Sequence, residues 1–248
     1  MNLDIFADVA AWLGDAENWQ GGSGILARLG EHTLLTVASV IIAVVVALPL
    51  ALWLGHIGRG GALAINLSNI GRAVPTFAVL ALLAVGVLGS GTFGPFGRAG
   101  LATLVALVLF ALPPIVTNSY VGVREVDRDL VEAANGMGMS GWEVFRRVEL
   151  PLALPLIITG LRLAVVQVWA TATIAALVAG PGLGNIIVQG FAFQDQAQVI
   201  AGALTVALLA LLLELLMAAA QKRVDPLRGA RTVRAAGTVA TAGVGKTR

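Results

Sequence analysis

Residues 132–151 read EAANGMGMSGWEVFRRVELP, and the fold turns on where this stretch sits. With the residues just before it, it forms the longest polar segment of the chain, 124–151, set between long apolar runs. Val126, Leu130, Ala133, Ala134 and Met137 recur at helical spacing, with Asp127, Asp129 and Glu132 on the other face. Gly136 and Gly138 end this first short helix, as glycine does beyond a helix C-terminus. Ser140 followed by Glu143 has the spacing of a capping box and starts a second helix. Trp142, Phe145 and Val148 give that helix an apolar stripe. Pro151 heads the next apolar run, where a helix N-terminus accepts proline. The segment offers two short helices joined by a glycine bend. Such a pair suits docking into a groove on a partner. A loop folded back on its own bundle is the other reading the residues leave open.

The flanking runs set the class. The chain has 248 residues, 58% hydrophobic and 12% charged, with a mean hydropathy of +0.89. A soluble domain carries roughly 25% charged residues, so this chain has too little polar surface to face water all round. A membrane helix needs ~20 apolar residues, and five runs qualify: 33–54, 70–89, 99–119, 152–179 and 198–221. The predicted fold is an all-α integral membrane protein of five spans. The stretch 61–69 is apolar but short, and no internal repeat is visible.

Five spans put the two ends on opposite sides. Arg59, Arg72, Arg124, Arg128, Arg146, Arg147 and the seven basic residues of the tail fall on one side, with only Arg28 and Arg98 on the other. The positive-inside rule makes the first side cytoplasmic. The segment 124–151 and the C-terminus then face the cytoplasm, and the N-terminus and the loop 180–196 face out. The start, Met-Asn-Leu-Asp, has no basic region and does not resemble a signal peptide. Residues 1–30 read as an extracytoplasmic arm, with 3–13 an amphipathic helix carrying Trp12 at the interface. Residues 31–225 read as one transmembrane domain. The tail 226–248, rich in Gly, Ala, Thr and Arg, reads as disordered and at most lipid-facing. The pI of about 9.7 follows from this topology rather than from nucleic-acid binding. Cysteine is absent, which excludes disulfides and thiolate metal sites.

The stretch 132–151 resembles the EAA motif of bacterial ABC importer permeases, which runs Glu-Ala-Ala, three residues, Gly, nine residues, Ile, any residue, Leu-Pro. Glu132, Ala133, Ala134, Gly138, Leu150 and Pro151 match in register, and Val148 stands for the Ile. The resemblance covers about Glu31 to Asp225. Residues 69–83 look like the second span of the methionine-type and osmoprotectant permeases. Residues 158–187 look closest to permeases for glycine betaine, carnitine and choline. The resemblance implies a five-span, methionine-permease-like type I importer core that moves a small osmoprotectant by alternating access, with methionine or another small solute as the alternative cargo. It implies that the EAA helix seats in a cleft of a separate ATPase, which holds ATP and Mg, this chain binding no cofactor or metal. Glu132, Ala133, Ala134, Gly138, Trp142, Phe145, Leu150 and Pro151 are the coupling residues it points to. It further implies a second permease copy or paralogue, an external substrate-binding protein and an inner-membrane location.

Polar residues inside spans are candidates for the translocation path. Arg162 and Glu214 fall at comparable depth and invite an ion pair. Gln167 and Thr171 lie four apart on one helical face, to line a passage or to hydrogen-bond between helices, and Trp169 is the best-placed aromatic for a quaternary ammonium. Other motifs fail. Gly89, Gly91 and Gly94 match a dinucleotide-binding glycine pattern without its strand. Gly245, Lys246 and Thr247 resemble a phosphate loop, but Ala240 stands where its first glycine belongs. An intramembrane hydrolase built on Ser90 and His32 lacks an orienting group. A passive channel would need rings of charge or carbonyls.

Overall fold

The computed structural model describes residues 4–62, 66, 71 and 73–224. In hydrocarbon no water satisfies backbone N–H and C=O groups, so a spanning chain closes those bonds within helices. Four described helical stretches are long and apolar enough to cross: Ile25–His56, Gly100–Arg124, Gly141–Val178 and Gln196–Arg223. The expected amphipathic helix is α1, Asp4–Gly14, and α2 is Ile25–His56.

The second expected span is described only in part: its longest described helix is α3, Thr76–Val85, of 10 residues, and Gly71 and Ala73 are helical ahead of it. Ten residues rise ~15 Å, half the hydrocarbon thickness. Hydropathy counts apolar side chains and ignores Pro75, whose own extended backbone caps the start of α3. Five full-length spans are therefore not seen among the described residues. The next helix, α4 (Gly100–Arg124), nevertheless runs parallel to α2. A Cβ placed at Gly55 would lie 2.9 Å from Val123 Cβ, joining the ends of α2 and α4. Their starts meet at one loop: a Cβ at Gly180 would lie 2.8 Å from Thr103 Oγ1, and one at Gly182 would lie 2.9 Å from His32 Nδ1. The chain between α2 and α4 therefore returns from one end of the bundle to the other.

α4 is the centre. Two thirds of its apolar window is buried, against a tenth for the last helix, which lies at the periphery. α2 reaches it through Ser39, Ala43, Ala47, Ala51 and Gly55, a buried row four residues apart. Small residues at this spacing let helices approach closely where no hydrophobic driving force acts between them. α5 (Arg128–Gly136), α6 (Gly141–Val144) and α7 (Leu150–Ala172) follow. Leu107, Ala111 and Ile115 of α4 and Ala164, Val168 and Ala172 of α7 complete the core with Leu35 and the alanines of α2. α8 (Gly184–Ala192) and α9 (Gln196–Val224) close the chain. The tail 226–248 lies outside the described residues, as do Arg72, Ser68 and Asn69.

The second cytoplasmic helix is not separate from the fourth span, as the sequence suggested. α6 continues through a π turn, Phe145–Glu149, straight into α7. Leu150 N–H donates to the carbonyl of Phe145, five residues back. Pro151 accounts for the widening: it has no N–H for the carbonyl of Arg147, and its ring crowds that oxygen. Proline here reshapes a running helix instead of starting one.

Candidate coupling site and membrane-buried polar groups

α5 begins on Asp127, whose side chain accepts from Asp129 N–H at 3.0 Å. Glu132 and Ala133 are exposed, whereas Ala134 is turned inward and buried. Leu130 is 49% and Met137 73% exposed, a large apolar pair for a free surface beside a carboxylate. Gly138 adopts φ +85°, in the left-handed region that side chains with a Cβ avoid, and so sets the bend. The expected capping box is present: Ser140 N–H donates to Glu143 Oε2 at 3.0 Å and Glu143 N–H to Ser140 Oγ at 3.4 Å. Trp142 projects outward, 66% exposed. Phe145 turns back, its ring centroid 5.5 Å from that of Trp142 and 5.4 Å from that of His56. Leu150 is half-buried and Pro151 exposed at the surface.

His56 and Glu149 were not singled out from sequence. His56 Nδ1 and Glu149 Oε2 are 2.5 Å apart, and Glu149 is buried. Each residue alone looks like a polar residue at a helix end, and 93 positions separate them.

The path candidates turn to three different neighbours. Arg162 pairs with Glu214 of α9 and donates to Gln221 Oε1 at 3.0 Å. Gln221 in turn donates to Thr159 at 2.8 Å. Gln167 Nε2 donates to the carbonyl of Phe110 at 3.2 Å. That carbonyl belongs four residues before Pro114, which has no N–H to give it. Gln167 therefore supplies the donor that the proline withholds. Trp169 is buried with its ring 4.5 Å from that of His32, and Thr171 is half-buried on α7. His32 Nδ1 accepts from Leu183 N–H at 3.3 Å, which leaves Nε2–H to donate to the carbonyl of Trp169 at 3.0 Å. Gly182 N–H donates to Glu31 at 3.0 Å, so the loop after α7 is stitched to the start of α2. Both His32 nitrogens are occupied, and Ser90 donates to the carbonyl of Val87, so the two do not form a hydrolytic pair. Among the described residues no group of three or more His, Asp or Glu gathers to hold a metal ion.

Four helices long and apolar enough to cross a membrane, with polar pairs between them and one exposed two-helix turn, make the architecture of an integral membrane protein. Residues 39–227 match the model of the "Binding-protein-dependent transport system inner membrane component" family. The chain belongs to that family. It is 33% identical, over 86% of its length and 94% of the relative's, to the "Glycine betaine/carnitine/choline transport system permease protein OpuCB" of Bacillus subtilis (strain 168). It is 36% identical, over 81% of its length and 83% of the relative's, to the "Osmoprotectant import permease protein OsmY" of Salmonella typhimurium. Among solved structures, an inward-facing MetNI methionine ABC transporter aligns with a TM-score of 0.66 at 22% identity, covering 81% of this chain and 96% of that one. An amino acid ABC transporter with histidines aligns at 0.66 and 20%, covering 90% and 100%. These two carry the fold alone: that of ABC importer permeases.

Proposed function

We propose that this chain is the permease subunit of an ATP-driven importer for a small quaternary ammonium osmoprotectant, of the class of glycine betaine, carnitine and choline. The observation that carries the substrate class is the identity of about one third, over most of the chain, to permeases named for those solutes. Hydrolysis of ATP with Mg belongs to a separate ATPase, and a binding protein outside selects the cargo. Two permeases, identical or paralogous, enclose the passage. The N-terminus lies outside and 124–151 inside, in keeping with the basic residues at the α2 and α4 ends. The ATPase docks on the exposed patch of Leu130, Glu132, Ala133, Met137 and Trp142, where a short capped helix and a glycine bend present apolar groups around one carboxylate. Closure of the ATPase pair drives the docked turns and switches the bundle between inward and outward access.

The test is uptake by proteoliposomes holding the permease, its ATPase and its binding protein. Betaine uptake that depends on ATP is expected, with Glu132→Ala abolishing uptake while the permease still folds. Methionine uptake without betaine uptake would overturn the substrate class. Full uptake by Glu132→Ala would remove that residue from the coupling patch.

A further inference from the structure

The buried Glu149 needs an explanation that docking alone does not supply. A carboxylate taken out of water costs several kcal/mol unless it is paired and hydrogen-bonded. Here it meets the ring of His56, the last residue of α2, at 2.5 Å. The same ring faces the other end of the docking turn. A Cβ placed on Gly141 would lie 3.7 Å from His56 Nε2, and the Phe145 ring packs edge-on against the imidazole. One side chain thus faces the first residue of α6 and contacts the middle of the turn and the residue that leads into α7. Phe145 and Glu149 lie four residues apart, so one side of the turn presents both to His56. Beneath them lies a groove of about 370 Å³ lined by Leu48, Leu52, Trp53 and Trp142 among others. On its opposite side the end of α2 is held to α4, because Gly55 lets Val123 approach.

We propose that the His56–Glu149 pair is a clamp that makes the end of α2 move with the docking turn, so that a displacement of the turn reaches α2 and, through Gly55, α4. His56 and Glu149 are positioning residues: they touch neither ATP nor cargo. The proposal rests on the reading of 124–151 as the ATPase-docking segment.

The experiment compares His56→Ala, Glu149→Ala, the double alanine variant and the His56→Gln/Glu149→Gln pair, each assembled with the ATPase and binding protein in proteoliposomes. The measured quantity is cargo moved per ATP hydrolysed. Each alanine variant is expected to hold its ATPase and hydrolyse ATP but to move about tenfold less cargo per ATP, within the usual range of site-to-site coupling. The double variant is expected to be no worse than either single one. The glutamine pair, which keeps an uncharged hydrogen bond, is expected to recover most of the ratio. A wild-type ratio in the alanine variants, or losses that multiply in the double variant, overturns the clamp.

A second measurement covers variants that fail to assemble. Because the chain has no cysteine, spin labels at Ile57→Cys and Arg146→Cys report on the two sides of the clamp in the otherwise unaltered protein. Their separation is expected to stay the same with and without nucleotide, and a nucleotide-dependent change overturns the proposal. Glu132→Ala run alongside separates the two ideas. If it abolishes uptake while Glu149→Ala keeps the wild-type ratio of cargo to ATP, the clamp fails and the docking site stands. If Glu132→Ala changes neither uptake nor ATPase binding, the docking reading fails and the clamp loses its purpose.

Discussion

Gln167→Leu removes the amide that serves the carbonyl of Phe110 and changes little else, since leucine fills a similar volume. The hydrogen bond is long at 3.2 Å, which places its own contribution toward the lower end of the ~0.6–2 kcal/mol range for bonds between membrane helices. Its loss also leaves a carbonyl without a donor, because Pro114 cannot replace the amide; an orphaned buried group costs about 1–3 kcal/mol. The two figures describe overlapping effects, and a total of about 1–2 kcal/mol is expected, a factor of roughly 5–30 in the folded-to-unfolded ratio. Pro114→Ala makes the test specific. Alanine restores the backbone N–H, so the Phe110 carbonyl closes its own helical bond. In that background Gln167→Leu is expected to cost close to nothing, a coupling of about 1–2 kcal/mol between residues on two helices. The assay is equilibrium unfolding of the purified permease in mixed micelles of fixed composition, followed by far-UV circular dichroism for all four corners of the cycle. Equal costs of Gln167→Leu in the wild-type and the Pro114→Ala backgrounds would refute the assignment of Gln167 as the donor that the proline lacks.

Arg162→Met is expected to lower the unfolding midpoint in the same assay, because it leaves Glu214 without its partner, and the joint change Arg162→Met/Glu214→Leu is expected to recover most of the loss. His32→Phe keeps the ring contact with Trp169 but removes both bonds at the imidazole, orphaning Leu183 N–H and the Trp169 carbonyl. A loss of about 2–4 kcal/mol is expected, with faster amide exchange at 182–183 as the local readout.

Local patterns were legible in the sequence. The Ser140 capping box, the left-handed Gly138 and the helix 3–13 follow from neighbours a few residues apart. The Arg162–Glu214 pair was also legible, since two charges in apolar helices at similar depth have few alternatives to each other. Contacts set by tertiary packing were not. His56 and Glu149 sit at helix ends, where a polar residue needs no explanation, and nothing in the sequence brings them together. Gln167 reads in the sequence either as lining a passage or as a bond between helices, and its acceptor follows only from the proline pair at 113–114 in a distant run. The second span is described only in part, from Thr76–Val85 and the helical Gly71 and Ala73, and hydropathy takes no account of Pro75, which marks the start of that helix. Pro151 reads as a helix start for the same reason in reverse: composition gives a proline's tolerance, not the hydrogen-bond register that its neighbours adopt.

The π turn carries a further consequence, one of phase. A residue added to an α-helix rotates everything before it by about 100° relative to everything after it. Gly141–Val144 is therefore turned by about that angle from where an uninterrupted helix leading into α7 would hold it. Shortening Phe145–Glu149 by one residue would leave composition, burial pattern and helix length almost unchanged, yet swing Trp142 to another side of the rod. The azimuth at which this permease presents the turn 141–144 is thus fixed by a carbonyl that Pro151 leaves without a donor.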